Sequence, residues 1–462
     1  MAKTFNALCG KNLRLDIKTS TLIATFKLKE SIRYDFVKLK VIIVLFIALI
    51  VHTLKCFGFH CHAINYLGRL FNSGWLMADR IATKLFSQYL SNPRSKVILG
   101  TLLVNHTNNI KPSPKTNKFF ASPKQYFPHM CIVLKTATEA EKGVILLNYS
   151  YCFPLFVKLF SIDDVLTRYY IVLEPSWSGY FDKDILCYMN FNQPIFVEAP
   201  EPRDYKFISD LRSNLIPVAL GANWWIDSRK FTPLADVNRD VDIIMVSAWA
   251  SYKRHFSVFN TIRKLKEKKI VLKVVLIGYQ MEMDLDIDSI QHLARYYDIV
   301  DQVECYESLT QEEVNYHFNR SKINLLWSRF EGINRSIIEG MYANVPCILR
   351  RAFNYGYNYP YINDSTGAFA DESDLEQTIL HMLYNGANYS PRQWVLEHMS
   401  LEAGIAVLEE VIKKYSRSSN DAWSGGVVRK INALHGTYYR DESDYVKFQK
   451  DYEILESFIK QS

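Results

Sequence analysis

One stretch of this chain, residues 323–349, constrains its fold more than any other. An apolar run at 323–326 predicts a strand, and a polar loop follows it. Apolar residues then recur at helical spacing from Ile333 to Met341, and Pro346 interrupts the pattern within a second apolar run at 345–349. The stretch therefore predicts a βαβ unit. In such a unit the loop and the helix N-terminus lie at the carboxyl edge of a parallel sheet, where backbone N–H groups favour an anionic ligand.

Two glutamates frame this loop and helix. Glu331 and Glu339 are separated by seven residues. Because exposed carboxylates are usually solvated, this spacing alone does not define a ligand site.

The residues around the glutamates resemble the signature of family 4 retaining glycosyltransferases, which belong to the glycosyl transferases group 1. That signature combines a serine, a Glu-Gly pair, seven residues between the glutamates and a small-residue turn before proline. The matching residues here are Ser328, Glu331-Gly332, Glu339-Gly340-Met341 and Ala343-Asn344-Val345-Pro346.

This resemblance implies an α/β protein of the GT-B class, with two Rossmann-like domains facing across a cleft. The second domain would hold most of the nucleotide-sugar donor, and the first would hold the acceptor. The implied reaction is hexosyltransferase-like, with a sugar passing from a UDP- or GDP-linked donor to an acceptor hydroxyl. It would proceed with retention at the anomeric carbon, without a metal and without a cofactor beyond the donor itself.

The resemblance also assigns roles to individual residues. Lys253 and Glu331 are the expected catalytic residues: Lys253 would neutralise the diphosphate, and Glu331 would bind hydroxyls of the transferred sugar. Glu339 would accept hydrogen bonds from the ribose. The expected substrate-binding residues are Arg254, Gly278, Ser328, Gly332, Ile333, Asn334, Arg335, Glu339 and Glu174.

This chain departs from the family pattern at three places. An arginine is expected a few residues before Lys253, but that position falls near Ser247 or Ala248, so Arg254 is expected to replace it. Glu174 is nearest to the position where relatives often carry a histidine. Relatives commonly have Phe-Gly where this chain has Ile333-Asn334, which predicts an altered sugar pocket.

Composition excludes several other classes of protein. The chain has 462 residues, 48% of them hydrophobic, which is enough for two or three folded domains. Its net charge of +7 comes without an arginine-rich or aromatic-interleaved stretch, so no nucleic-acid partner is predicted. The eight cysteines form no Cys-x-x-Cys pair, and we predict no metal site. A dinucleotide oxidoreductase is disfavoured because no Gly-x-Gly-x-x-Gly follows an early strand.

The pattern of strands and helices predicts four segments. Residues 1–60 form an N-terminal extension with a possible membrane helix at 41–59, and residues 61–232 form a Rossmann-like acceptor domain. Residues 233–415 form a Rossmann-like nucleotide-sugar domain, and residues 416–462 form a helical extension. Within the acceptor domain, strands are predicted at 97–104, 144–148, 169–173 and 194–199.

The location of the protein depends on the apolar run at 41–51. The apolar run can be extended to residue 59 only if polar residues are included. The sequence is therefore compatible both with a helix that spans the membrane and with one that lies on its surface. A glycan at the sequon Asn334 would block the proposed site, which favours a cytoplasmic, membrane-associated enzyme of polysaccharide or glycoconjugate synthesis. Its acceptor would be a carbohydrate or a lipid-linked molecule. The alternative is a catalytically degenerate GT-B scaffold tethered to a membrane.

Overall fold

The computed structural model describes residues 18–281, 285–328, 331, 333–351, 359–433 and 436–460. The chain divides into two compact units. The first unit comprises Leu39–Asp227 and Met399–Ser462, and the second comprises Met1–Lys38 and Ser228–His398. The predicted site residue Gly332 lies outside the described residues.

Two helices separated by a short turn open the described chain. Helix α1 (18–30) is followed by a π-helical turn, Ser31–Asp35, and by helix α2 (Val37–Cys56). Within the described residues, one helix, Lys38–Cys56, is long and apolar enough to cross a membrane. Only 17% of its apolar window is buried within the protein, so most of that apolar surface faces outward.

The first unit is built around a five-stranded sheet with the order β1-β2-β3-β4-β5. Strand β1 pairs antiparallel with β2, and every later pair is parallel. The strands are β1 (Cys131–Lys135), β2 (Gly143–Asn148), β3 (Tyr169–Glu174), β4 (Ile195–Glu198) and β5 (Leu215–Val218). The helices are α3 (His60–Phe71), α4 (Ala78–Ser91), α5 (Pro93–Asn108), α6 (Asn117–Ala121), α7 (Pro123–Tyr126), α8 (Cys152–Leu159), α9 (Ile162–Arg168), α10 (Lys183–Leu186) and α11 (Pro202–Asp210).

The strands predicted at 144–148, 169–173 and 194–199 are confirmed. The prediction of a strand at 97–104 is wrong, because these residues lie within helix α5. Asn92 caps this helix by accepting a hydrogen bond from the Ser95 amide (3.1 Å), and Pro93 occupies its first turn. These start signals specify a helix even though the apolar run after them also fits a strand.

The second unit contains a six-stranded parallel sheet with the order β11-β10-β9-β6-β7-β8. Its strands are β6 (Val241–Val246), β7 (Val274–Gly278), β8 (Val303–Glu307), β9 (Ser321–Leu326), β10 (Cys347–Arg350) and β11 (Gly367–Ala370). Its later helices are α12 (His255–Glu267), α13 (Ile287–Tyr296), α14 (Gln311–Arg320), α15 (Ser336–Tyr342), α16 (Leu375–Tyr384) and α17 (Pro391–His398). The parallel strands and flanking helices of both units confirm the predicted α/β class.

The chain after α17 belongs to the first unit. It forms α18 (Leu401–Ser418), the hairpin β12 (Lys430–Ala433) and β13 (Gly436–Tyr439), α19 (Ser443–Lys447) and α20 (Gln449–Ser457). Residues 399–415 were predicted to lie in the nucleotide-sugar domain. They pack instead in the first unit, because Leu401, Leu408 and Ile412 of α18 are buried in its hydrophobic core.

Candidate active site

The strand order of the second unit defines where a ligand can bind. Strand β6 lies at the centre, and the chain leaves it first toward β7 and later returns to pair β9 on its other side. Open parallel sheets bind ligands beyond the carboxyl ends of the strands at such a switch point. The loops after β6 and β9 meet there, and they carry Lys253 and Glu331.

Lys253 and Glu331 form a buried ion pair. The Lys253 ammonium lies 2.6 Å from one carboxylate oxygen of Glu331 and 2.9 Å from the other. The side chains are only 7% and 5% exposed. The structure therefore brings together the two residues predicted to be catalytic, although 77 residues of sequence lie between positions 253 and 331.

Arg254 follows directly but is turned toward a different set of carboxylates. Its backbone is left-handed (φ +60°) at the start of α12, and its side chain is 6% exposed. The guanidinium lies 3.1 Å from Glu30 and 2.6 Å from Glu372. The sequence predicts that Arg254 replaces a missing phosphate-binding arginine. In the structure Arg254 lies between Glu30 of α1 and Glu372, which follows β11.

Three residues of this network were missed by the sequence analysis. Glu30 lies in the N-terminal segment, to which the sequence analysis gave no role. Glu372 follows β11, and Arg350 is the last residue of β10. Arg350 ends β10, and its Nε lies 3.6 Å from the Glu372 oxygen that also faces Arg254. A charged residue at the carboxyl end of a predicted strand was the available signal for Arg350.

Glu372 is also fixed by hydrogen bonds. The Ser257 hydroxyl donates to its carboxylate (2.7 Å), and the Trp327 indole donates to that hydroxyl (3.1 Å). Burial would raise the pKa of Glu372, but Arg254, the Ser257 hydroxyl and Arg350 hold the pKa below its usual value. Trp327 directly follows β9 and Ser257 lies in the first turn of α12, so these contacts link the start of α12 to the chain that leaves β9.

The helix after the loop is shorter than the sequence predicts. Helix α15 begins at Ser336, so Ile333 and Asn334 lie in the loop before it rather than at a helix start. The Asn334 side chain accepts a hydrogen bond from the Ile337 amide at 3.1 Å, which stabilises the first turn. The apolar pattern extends back to Ile333, but this hydrogen bond to Asn334 sets the start of the helix at Ser336.

Glu339 lies on α15 beside Arg335. The two side chains form an ion pair at 3.2 Å, with Glu339 13% exposed. Burial raises the pKa of Glu339 above its usual value, and Arg335 opposes that shift. Ser328 is 1% exposed, and its hydroxyl has no hydrogen-bond partner among the described residues. The Glu339 carboxylate and the Ser328 hydroxyl can therefore both form hydrogen bonds with a ligand at the edge of the sheet where β9 ends.

Gly278 and His255 shape the loop that carries Lys253. A Cβ at Gly278 would lie 2.5 Å from the Ser247 carbonyl and 2.9 Å from the Trp249 ring, so only glycine allows the β6 and β7 ends to pack this closely. His255 is buried, with its ring 3.4 Å from the Ser247 hydroxyl. Burial and the nearby Lys253 cation lower the pKa of His255 to about 3, which keeps the ring neutral.

Glu174 belongs to the first unit, where it lies within a buried polar cluster. Its carboxylate pairs with Lys430 of β12 and accepts a hydrogen bond from Asn432 (3.0 Å). Neighbouring Glu198 accepts from the Trp225 indole at 3.0 Å. Burial and then the charge of Glu174 raise the pKa of Glu198 well above its usual value. The hairpin that supplies Lys430 was not recognised in the sequence, so Glu174 had no visible partner there.

A comparison with protein families decides the class of this site. Residues 229–388 match the family model described as glycosyl transferases group 1. This segment is a group 1 glycosyltransferase domain. It covers most of the second unit and contains both Lys253 and Glu331, so the resemblance to the glycosyl transferases group 1 and the GT-B class are confirmed. The match supports sugar transfer from a nucleotide sugar.

Solved structures that resemble this chain include glycosyltransferases and a sucrose-phosphate synthase. Sucrose-phosphate synthase from Thermosynechococcus elongatus is 15% identical and has a TM-score of 0.45, covering 60% of this chain and 74% of its own. A glycosyltransferase from Rickettsia africae is 15% identical with a TM-score of 0.39, covering 54% and 77%. HepE from Anabaena, solved with UDP and glucose, is 10% identical with a TM-score of 0.44, covering 59% and 78%. None of the curated proteins compared with this chain matches it.

Metal-ligating groups do not converge in the described residues. Within them, no three His, Cys, Asp or Glu side chains lie where they would hold a metal ion. The cations near the site include Lys253, Arg254, Arg335 and Arg350.

Proposed function

We propose that the protein is a retaining, hexosyltransferase-like glycosyltransferase that uses a UDP- or GDP-linked sugar and an acceptor hydroxyl. The observation that carries the proposal is the contact between Lys253 and Glu331 at the carboxyl edge of the second sheet. A nucleotide sugar joins a diphosphate directly to a sugar. A cation beside a carboxylate therefore matches two adjacent parts of one donor molecule.

Lys253 retains the capacity to bind that diphosphate. An ammonium group has three N–H donors, and two of them are directed at the two oxygens of Glu331. The third is available for a phosphate oxygen. Arg254 and Arg350 would add guanidinium N–H donors for the departing diphosphate if its phosphates take over part of the contact that Glu30 and Glu372 make with them.

Glu331 and Glu339 would hold the other parts of the donor. Glu331 would accept hydrogen bonds from hydroxyls of the transferred sugar, and Glu339 would accept from the ribose. Ser328, buried beside the same loop, would donate its hydroxyl to the donor. Ile333 and Asn334 replace Phe-Gly of the family pattern in this loop and would shape the sugar pocket.

The reaction would proceed on one face of the sugar. As the bond between the anomeric carbon and the diphosphate oxygen breaks, the acceptor oxygen forms a bond to that carbon from the same side. The acceptor hydroxyl proton passes to the leaving phosphate oxygen. The products are the nucleoside diphosphate and a glycoside with the donor's anomeric configuration.

The protein would act at the cytoplasmic face of a membrane, attached through α2. Support comes from the outward apolar surface of this helix. Asn-x-Ser/Thr sequons also occur at Asn105, Asn148 and Asn319. Asn148 and Asn319 are buried and Asn334 caps α15, so these three positions do not suit glycans, whereas Asn105 is exposed. A carbohydrate or lipid-linked acceptor in polysaccharide or glycoconjugate synthesis suits this location.

A transfer assay with UDP- and GDP-sugars in the presence of EDTA tests the proposal. We expect one donor to be consumed, with release of its nucleoside diphosphate dependent on an added carbohydrate acceptor. Nucleotide binding without any transfer or hydrolysis across the panel would contradict it and would favour a non-catalytic scaffold.

A further inference from the structure

A large basic cavity lies in the first unit. Its volume is about 1190 Å³, and it runs between α4, α11 and the segments before β4 and β5. Two carboxylates line it, Asp79 and Asp210. Six cationic side chains line it: Arg80, Lys84, Lys96, Arg203, Lys206 and Arg212. The cavity therefore has a clear excess of positive charge.

Four of these cations have no carboxylate partner among the described residues. Lys206 pairs with Asp210 (2.8 Å), and Arg203 pairs with Asp204 (3.1 Å). The four left without an acidic partner are Arg80, Lys84, Lys96 and Arg212. Unpaired cations that converge on one cavity favour an anionic ligand.

Helix α4 places like charges on adjacent turns of the face that lines the cavity. Arg80 and Lys84 are four residues apart, a spacing at which like charges repel and weaken a helix. The opposite face of α4 is buried through Ala82, Phe86 and Tyr89. An anionic ligand in the cavity would neutralise both charges and remove this repulsion.

The cavity is distinct from the carboxyl edge of the first sheet. Glu174 and Glu198 end β3 and β4 at that edge. The cavity reaches residues 189–192 and 211–214, which precede β4 and β5 at the amino edge. A ligand at this end would not occupy the place where a parallel sheet presents its reacting groups.

Exposed apolar side chains adjoin the cationic ones. Leu76 and Met77 are 58% and 46% exposed immediately before α4, and Val97 is 70% exposed next to Lys96. The Lys55 ammonium of α2 lies 4.5 Å from the Tyr89 ring, on the face of α4 opposite the cavity. Apolar residues beside cations are typical of surfaces that bind the interface of an anionic membrane.

We propose that this cavity binds the phosphate-bearing headgroup of an anionic membrane lipid. Arg80, Lys84, Lys96 and Arg212 pair with the phosphate, and Leu76, Met77 and Val97 contact the adjacent interface. The site makes the attachment selective for acidic lipid, beyond what α2 provides. This proposal rests on the membrane attachment proposed above, but it does not depend on sugar transfer.

The full chain would be compared on vesicles of phosphatidylcholine alone and of phosphatidylcholine with phosphatidylglycerol. Because α2 contributes to binding on both, the measured quantity is the ratio of the two partition constants. We expect the wild-type ratio to exceed one by about tenfold or more and to fall with added salt. The double variant R80E/K84E is expected to bring the ratio close to one.

The matched control is K413E/K414E, which reverses two exposed lysines of α18 in the same unit, outside the cavity. It is expected to keep the wild-type ratio, and equal thermal unfolding midpoints would show that both variants fold. A wild-type ratio of one, or equal losses in both double variants, would overturn the proposal. So would calorimetric binding of inorganic phosphate that needs Arg80 and Lys84 while vesicle composition has no effect. Failure to bind even neutral vesicles would instead contradict attachment through α2.

Discussion

The Lys253 ammonium lies 2.6 Å from the Glu331 carboxylate, and both side chains are almost completely buried. Burying two charges costs desolvation energy that their attraction often fails to exceed, so such a pair is weak evidence for a purely structural role. The pair connects the loops after β6 and β9, the two strands at the switch point of the sheet. The catalytic role proposed for Lys253 and Glu331 would explain why charge is kept there.

Lys253→Ala is expected to lower turnover by roughly two orders of magnitude or more, because it removes a preorganised charge where negative charge develops on the diphosphate. The measurement is the rate of nucleoside diphosphate release at saturating donor. Near-normal transfer by this variant would rule out the assigned role.

This substitution needs a structural control, since it leaves Glu331 buried without its cation. Breaking a buried pair destabilises a protein by about 3–5 kcal/mol. The double variant K253M/E331Q leaves neither charge in place and should unfold closer to the wild type. It should nevertheless remain inactive, which separates loss of catalysis from loss of folding.

Glu339→Gln is expected to weaken nucleoside diphosphate binding by roughly tenfold or more, because a hydrogen bond to a charged group contributes more than one to a neutral group. Isothermal titration calorimetry measures this directly. Glu312→Gln is the control, since Glu312 is an exposed glutamate of the same unit that pairs with Lys230 at 2.8 Å. Equal affinities in the two variants would contradict a ribose role for Glu339.

Arg254→Gln distinguishes a phosphate-binding role from a structural one. If Arg254 contacts the diphosphate, affinity for the nucleoside diphosphate should fall about tenfold or more, as for other charge-assisted hydrogen bonds. If it serves only to join Glu30 and Glu372, the variant should unfold at lower temperature with unchanged affinity. The second outcome would leave Lys253 and Arg350 as the cations of the site.

His255 predicts a specific dependence of stability on pH. Its pKa is about 3 in the folded protein and near 6.5 when unfolded, so the unfolded state binds more protons between these values. Its contribution is fully present above about pH 6.5 and is lost as the pH falls toward 3, at about 1.4 kcal/mol per pH unit. Denaturant unfolding of His255→Gln should show a correspondingly shallower pH dependence. The exposed His398→Gln should keep the wild-type slope, and identical slopes in all three proteins would contradict a buried neutral His255.

The second unit follows from the sequence because its signals agree with one another. Apolar runs give β6, β7 and β9. The sequence before α14 fits two capping boxes, Ser308 with Gln311 or Thr310 with Glu313, and the structure contains the second. The spacing of Lys253 and the two glutamates then places them at one edge of the sheet. In this unit the pattern of strands and helices is therefore sufficient to predict which residues lie at the carboxyl edge of the sheet.

Other parts of the fold depend on contacts that sequence patterns do not encode. Glu30 reaches Arg254 from an N-terminal helix, and Lys430 reaches Glu174 from a C-terminal hairpin, each across more than two hundred residues. At 97–104, the cap at Asn92 specifies a helix although β-branched residues favour a strand. Partners distant in sequence and short capping signals are therefore what the sequence reasoning missed.

The stereochemistry of the product tests the central claim most directly. Proton NMR during transfer from an α-linked nucleotide sugar, with EDTA present, would report the anomeric configuration of the first product formed. The account predicts an α-linked product that appears with the wild type and is lost in K253M/E331Q. A β-linked first product, or equal transfer by that double variant, would contradict retaining transfer at the Lys253 and Glu331 site.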